Sequence, residues 1–209
     1  MKIVCIADTH NRQDDLIIPD GDIIIHAGDL TEGGTKREVS QFISWFSSLP
    51  HTHKVFIAGN HDYYLEDIDL KKFTENLPKG VHYLHNSALT LGNINFWGTP
   101  QVPSLTRWAF KEPFYWNDIP KETDILISHV PPYEILDLHD RNFHLGDKVL
   151  AKRVDKLSLK YHIFGHVHDA YGLTRIKNTI FVNASSVDST GRYLNPPIIL
   201  DVSSKDLLE

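Results

Sequence analysis

The stretch KIVCIADTH, residues 2–10, sets an apolar run directly against a carboxylate and an imidazole. The run is rich in β-branched residues and has about the length of a buried strand. The same unit recurs along the chain. Residues 22–27 (DIIIHA) lead to Gly28-Asp29, and residues 54–58 (KVFIA) lead to Gly59-Asn60-His61-Asp62. Residues 124–128 (DILIS) lead to His129, and residues 161–164 (YHIF) lead to Gly165-His166-Val167-His168. Five strand-like runs therefore each end in a polar cluster.

Helical patterns lie between the runs. Val39, Phe42, Ile43 and Phe46 recur at helix spacing, and Thr35 with Glu38 reads as their capping box. Leu70, Phe73 and Leu77 predict a shorter helix, and Val149, Leu150, Val154 and Leu157 predict another. Strands alternating with helices imply an α/β sheet. Residues 88–91 and 94–98 flank Gly92-Asn93 as a hairpin, residues 171–176 and 179–184 flank Lys177-Asn178 as another, and 198–202 form a last strand. The hairpins imply a second, more antiparallel sheet. The expected architecture is a four-layer α/β/β/α sandwich, two stacked mixed sheets with helices outside, formed by residues 1–209 as one domain. In open α/β sheets ligands gather beyond the carboxyl ends of the strands, so clusters far apart in sequence can meet there.

Composition narrows the functional classes. Hydrophobic residues make up 41% and charged residues 23% of 209, ordinary globular values. No run reaches the ~18 apolar residues of a membrane span, and residues 3–7 read as a first strand rather than a signal peptide. The single cysteine, Cys5, fits a reducing compartment, which points to the cytoplasm. A net charge of −6 disfavours nucleic acid and acidic membranes as partners. Lys152, Arg153, Lys156 and Lys160 read as the solvated face of a helix.

Collected, the clusters offer Asp8, His10, Asp29, Asn60, His129, His166 and His168. Imidazoles mixed with carboxylates suit Zn, Mn, Fe or Ni, and carry too many nitrogens for Mg or Ca. Seven donors exceed one tetrahedral ion and match two ions sharing a bridge. In extended backbone, residues i and i+2 point the same way, so Asp8-x-His10 and His166-x-His168 can each converge. Gly28, Gly59 and Gly165 precede proposed donors and read as the sharp turns that end strands. With 13 histidines about one His-x-His pair arises by chance, and His51-x-His53 is such a pair, at the wrong end of its strand. Asp137-x-His139 lacks a preceding strand and is set aside for that reason.

The order Asp-x-His, Gly-Asp, Gly-Asn-His-Asp, His, Gly-His-x-His resembles the calcineurin-like metallophosphoesterase superfamily. Within it, HAGDLTEGG, LPHTHKVFIAGNHD, TDILISHVPP, HIFGHVHDAYG, VNAS and NPPIILD resemble the brain metallophosphoesterase-domain proteins and their bacterial, class III cyclic-nucleotide-phosphodiesterase-like relatives. Val130 stands where that group has glycine, and residues 101–106 are less aromatic than its pattern. The resemblance implies that Asp8, His10, Asp29 and His168 hold one ion, that Asn60, His129 and His166 hold a second, and that Asp29 bridges. Two such cations acidify a water between them, and the resulting hydroxide can attack phosphorus in line. His61 would sit over the leaving-group oxygen, and Asp62 would hold its tautomer.

The activity expected is a phosphodiesterase acting on small phosphodiesters or nucleotides, such as cyclic nucleotides, with two divalent ions (Mn, Fe or Zn). Asn60, His61 and Trp108 are the substrate contacts expected. Trp97, Phe110, Phe114, Tyr115 and Trp116 extend a base-stacking wall or belong to the core. The same ligands would also serve a nuclease, a phosphomonoesterase or protein phosphatase, or a metal-binding scaffold without catalysis.

Overall fold

Along β1 (Lys2–Ile6), Ile3 and Cys5 face one way and Val4 and Ile6 the other, and all four are buried. A strand buried on both faces needs cover on both. The computed structural model, which describes residues 1–112, 116–140, 142–191 and 194–202, shows what provides it. In chain order follow β2 (Ile23–Ala27), α1 (Lys36–Ser48), β3 (His53–Ile57), α2 (Tyr63–Glu66), α3 (Leu70–Glu75) and β4 (Val81–Tyr83). Next come β5 (Ser87–Leu91), β6 (Ile94–Thr99), β7 (Ile125–Ser128), β8 (Leu138–His139), β9 (Phe143–His144) and α4 (Lys148–Val154). The last are β10 (Tyr161–Phe164), β11 (Gly172–Ile176), β12 (Thr179–Asn183) and β13 (Ile198–Asp201).

One sheet runs β13-β1-β2-β3-β4 and the other β11-β12-β10-β7-β6-β5. In the first, only β13 is antiparallel to its neighbour. In the second, β12, β10, β7 and β6 are parallel, and the hairpins add β11 and β5 antiparallel at the edges. The expected antiparallel character is thus confined to the edges. Tight hairpin turns join only antiparallel neighbours, while the long crossovers between β6, β7 and β10 return the chain parallel.

Alternation along the strands builds three apolar layers. Ile3, Cys5, Ile25 and Val55 meet Phe96, Ile125, Ile127 and Ile163 between the sheets. Val4, Ile24 and Phe56 turn outward onto Val39, Phe42 and Phe46 of α1. Leu126, Phe164 and Phe181 turn outward onto Leu150 and Val154 of α4. The order helix, sheet, sheet, helix is the four-layer sandwich. The Thr35–Glu38 capping box that starts α1 is formed as expected. α2, β4 and the β8–β9 pair escaped the sequence, because two to four residues show no periodicity.

A candidate two-ion metal centre

The carboxyl ends of β1, β2, β3, β7 and β10 point to one edge, where Ala7 bridges Ser185 across the two sheets. All seven donors gather there. Oδ2 of Asp29 lies 3.8 Å from His10 Nε2 and 3.3 Å from His129 Nε2. His129 Nε2 is 3.1 Å from Asn60 Oδ1, and its ring stands 5.1 Å, centre to centre, from that of His166. Oδ1 of Asp8 lies 3.7 Å from His168 Nε2, which in turn faces His10 Nε2 at 3.4 Å. Asp8 with His10 and His168, and Asp8 with Asp29 and His129, bring three ligand atoms each to within 4.8 Å of one another. Asp29 stands between the two histidine groups.

Other atoms of these residues are already committed, which aims the free ones. Asp8 accepts both the His166 backbone N–H, at 3.0 Å, and the Ser185 hydroxyl, at 2.6 Å. Asp29 accepts the His61 N–H at 2.8 Å through Oδ1. His129 Nδ1 donates to the Ala27 carbonyl at 2.9 Å, since a carbonyl can only accept. Nε2 is therefore the atom His129 offers to an ion.

The electrostatics favour a cation. Burial opposes ionisation of Asp8, yet the hydrogen bond and charge of His168 hold it well below the usual carboxylate range. Asp29 is likewise held down by His129 against the cost of its burial. Burial disfavours charge on His129 too, but Asp29 and Asp8 push it up to about 9. His166 is pushed down to about 4 by burial and by His129. Without metal, a proton on His129 supplies the positive charge that two buried carboxylates demand. Two imidazole nitrogens facing each other, with carboxylate oxygens beside them, form a donor set that fits divalent Mn, Fe or Zn.

Two expectations about the backbone need correction. The donors do not converge from extended chain. Asp8, His10, Asp29 and His166 have φ of 51°, 44°, 53° and 69°, the left-handed region, uncommon outside glycine though Asp and His enter it more readily than most. Of the three glycines, only Gly28 has a positive φ, 97°. Gly59 and Gly165 are needed for close approach instead. A Cβ on Gly165 would overlap the Asp8 carboxylate and lie 2.7 Å from the Ala7 Cβ, and one on Gly59 would meet Asp29.

His61 stands at the rim, its ring 4.6 Å from that of His10 and 4.4 Å from that of Trp108. Its Nδ1 donates to the Glu32 carbonyl at 3.0 Å, leaving Nε2 free. Asp62 does not hold His61, contrary to expectation. Its buried carboxylate accepts from the backbone of Gly59, Leu30 and Thr31 and from the Thr31 hydroxyl, at 2.7–3.2 Å. Burial and the Asp29 charge push Asp62 up to about 7, against these four donors. It is a positioning residue that ties the Asp29 loop to the Asn60 loop.

Among the aromatic residues, Trp108 reaches the site with 37% of its surface exposed, while Phe110 and Trp116 are core and Trp97 packs against the core. Phe114 and Tyr115 lie outside the described residues. Tyr63, not foreseen, stacks near Trp108 at 6.2 Å. Val130, next to His129 in the chain, is buried in the apolar layer beneath α4. Ser185 and Glu32 were also missed. Ser185 follows the end of β12 by two residues in the VNAS stretch, so the rule of polar residues just beyond strand ends would have found it. His51 and His53 lie at the other end of β3; His51 is buried against the Pro19 carbonyl, and His53 faces His82. Asp137 is buried and accepts from Glu134, Gly146 and His144, a loop clamp rather than part of the centre.

Known proteins supply an independent comparison. The family model of the calcineurin-like phosphoesterases matches residues 1–170. Human metallophosphoesterase domain-containing protein 1 is 34% identical over 96% of this chain and 71% of its own length. A UPF0046 protein of Caenorhabditis elegans is 33% identical over 99% of this chain and 77% of its own. A solved crystal structure 15% identical in sequence covers 97% of this chain and 99% of its own, with a TM-score of 0.63, which supports the fold. By sequence the chain belongs to the calcineurin-like phosphoesterase family and is, by that membership, a metal-dependent phosphoric ester hydrolase.

Proposed function

We propose that the chain is a phosphodiesterase for small phosphodiesters such as cyclic nucleotides. We read residues 1–209 as one domain, acting in the cytoplasm with Mn, Fe or Zn. The observation that carries this reading is the gathering of seven donors at one sheet edge, with Asp29 between His10 and His129 and with His61 Nδ1 held so that Nε2 is left to face them. Asp8, His10, Asp29 and His168 would hold one ion, and Asp29, Asn60, His129 and His166 the other. Divalent ions there supply Lewis acidity towards phosphoryl oxygens and acidify water. The protein supplies the rest. Asn60 and His61 orient the phosphoryl group. His61 delivers a proton from Nε2 to the departing oxygen while the Glu32 carbonyl holds its Nδ1–H. Trp108 and Tyr63, 37% and 40% exposed, offer aromatic surface next to that proton and so to the leaving group. An aromatic leaving-group platform favours a diester carrying a base over a bare phosphomonoester.

The test is turnover of bis(p-nitrophenyl) phosphate and of 2′,3′- and 3′,5′-cyclic nucleotides with added Mn²⁺, against p-nitrophenyl phosphate as the monoester. Diester turnover exceeding monoester turnover is the expected result. Hydrolysis of the monoester alone would overturn the assignment in favour of a phosphomonoesterase.

A further inference from the structure

We propose that Glu32 is a positioning residue that sets the tautomer of His10, and so the affinity of one of the two metal positions; this rests on the two-ion reading above. Among the described residues, His10 is the proposed imidazole donor whose second ring nitrogen faces a carboxylate. Its Nδ1 is buried and makes no in-line hydrogen bond, and Oε2 of Glu32 lies 3.2 Å away. The Glu32 side chain is 66% exposed, so rotation about its own bonds can bring the oxygen into line. A carboxylate can only accept, so the proton sits on Nδ1. Nε2 then carries the lone pair, and it is Nε2 that faces His168 at 3.4 Å and Asp29 at 3.8 Å.

Without Glu32 the preference reverses. Nδ1 loses its acceptor, and a proton on Nε2 gains Asp29. The lone pair would then point away from the ion position. His129 solves the same problem with the Ala27 carbonyl, so its half of the centre does not depend on Glu32. The Glu32 backbone adds a second, separable role, because its carbonyl holds His61 Nδ1 at 3.0 Å whatever the side chain. One residue thus orients two histidines by two different groups.

The experiment compares the wild-type protein with Glu32→Ala and Glu32→Gln. It measures Mn²⁺ and Zn²⁺ stoichiometry and affinity by calorimetry, the melting temperature of the metal-free forms, and bis(p-nitrophenyl) phosphate kinetics as metal is raised. In Glu32→Ala we expect one of two ions to bind roughly 10- to 100-fold more weakly, the other unchanged. Saturating metal should restore kcat, because His61 keeps its carbonyl. Glu32→Gln, which keeps an acceptor, should recover most of the affinity. Wild-type affinity for both ions in Glu32→Ala would overturn the proposal while leaving the two-ion reading intact. So would equal weakening of both ions with a lowered metal-free melting temperature. A third ion in the wild type, lost in the variant, would make Glu32 a ligand and overturn the positioning role. A wild type that binds neither ion would instead sink the reading of the site itself.

Discussion

At the scale of single residues, the centre depends on how tightly Asp8 is clamped. Ser185→Ala removes a 2.6 Å hydrogen bond to its carboxylate. A bond to a charged group contributes roughly 1.5–3 kcal/mol, so we expect a loss of that size in metal-free stability, read by urea unfolding, together with weaker metal binding. Gly165→Ala places a methyl group into Asp8 and the Ala7 side chain. Metal content should fall in that variant, as measured by elemental analysis. His61→Ala is the contrasting case. It should cut kcat roughly 100- to 10,000-fold with both ions still bound, since His61 touches the centre only through its own backbone N–H and its ring neighbours. The seven donors could be read from sequence because each is a polar residue ending an apolar run. Glu32 could not, since nothing in its GG-flanked turn marks a carboxylate that reaches back to His10. Nor could the left-handed backbone of Asp8, His10, Asp29 and His166, since Asp and His tolerate that region but do not require it.

At the scale of elements, each sheet carries one buried histidine on its outer face. In β2, His26 Nε2 meets the Thr9 hydroxyl at 2.9 Å; in β10, His162 Nε2 meets the Ser128 hydroxyl at 2.8 Å. Thr9 lies between two donors and Ser128 precedes a third, so each histidine braces a turn of the centre from behind. Phe42 and Phe46 of α1 cover His26 from outside, and Phe164 of β10 and Phe181 of β12 pack on His162. Phe42 packs on His26, Phe46 and Phe56 with ring centres 5.0–5.6 Å apart. Phe42→Ala should cost roughly 3–5 kcal/mol in denaturant unfolding. Thr35→Ala, which removes only the cap of α1, should cost about 1 kcal/mol. α1 was readable because 13 residues repeat its apolar stripe three times over. The parallel interior of the second sheet was not, because strand partners are chosen by crossovers that leave no local mark.

At the scale of the whole molecule, those two histidines predict acid sensitivity. Burial pushes His26 and His162 each down to about 3. An unfolded histidine takes up its proton near pH 6.5. Between pH 6.5 and 3 the unfolded chain therefore binds more protons, and stability falls as pH drops through that window. At pH 4.5 the loss is roughly 2–3 kcal/mol for each of the two. The depressed Asp8 and Asp29 do not oppose this, since their contribution is lost only below the ordinary carboxylate range. The raised His129 and Asp62 stabilise as pH falls and offset part of the loss, His129 fully by about pH 6.5. The urea midpoint of the metal-free protein should be lower at about pH 4.5 than at about pH 5.5, and equal midpoints would contradict the prediction. The centre itself spans nearly the same breadth of chain. Asp8 is held by the backbone of His166, 158 residues away, and by Ser185, 177 residues away. During synthesis, then, the first ligand leaves the ribosome long before the residues that clamp it exist. The contacts that aim Asp8 therefore form only once both sheets have docked. The clamp on Asp8 is thus completed last, and a chain interrupted before Ser185 would lack it.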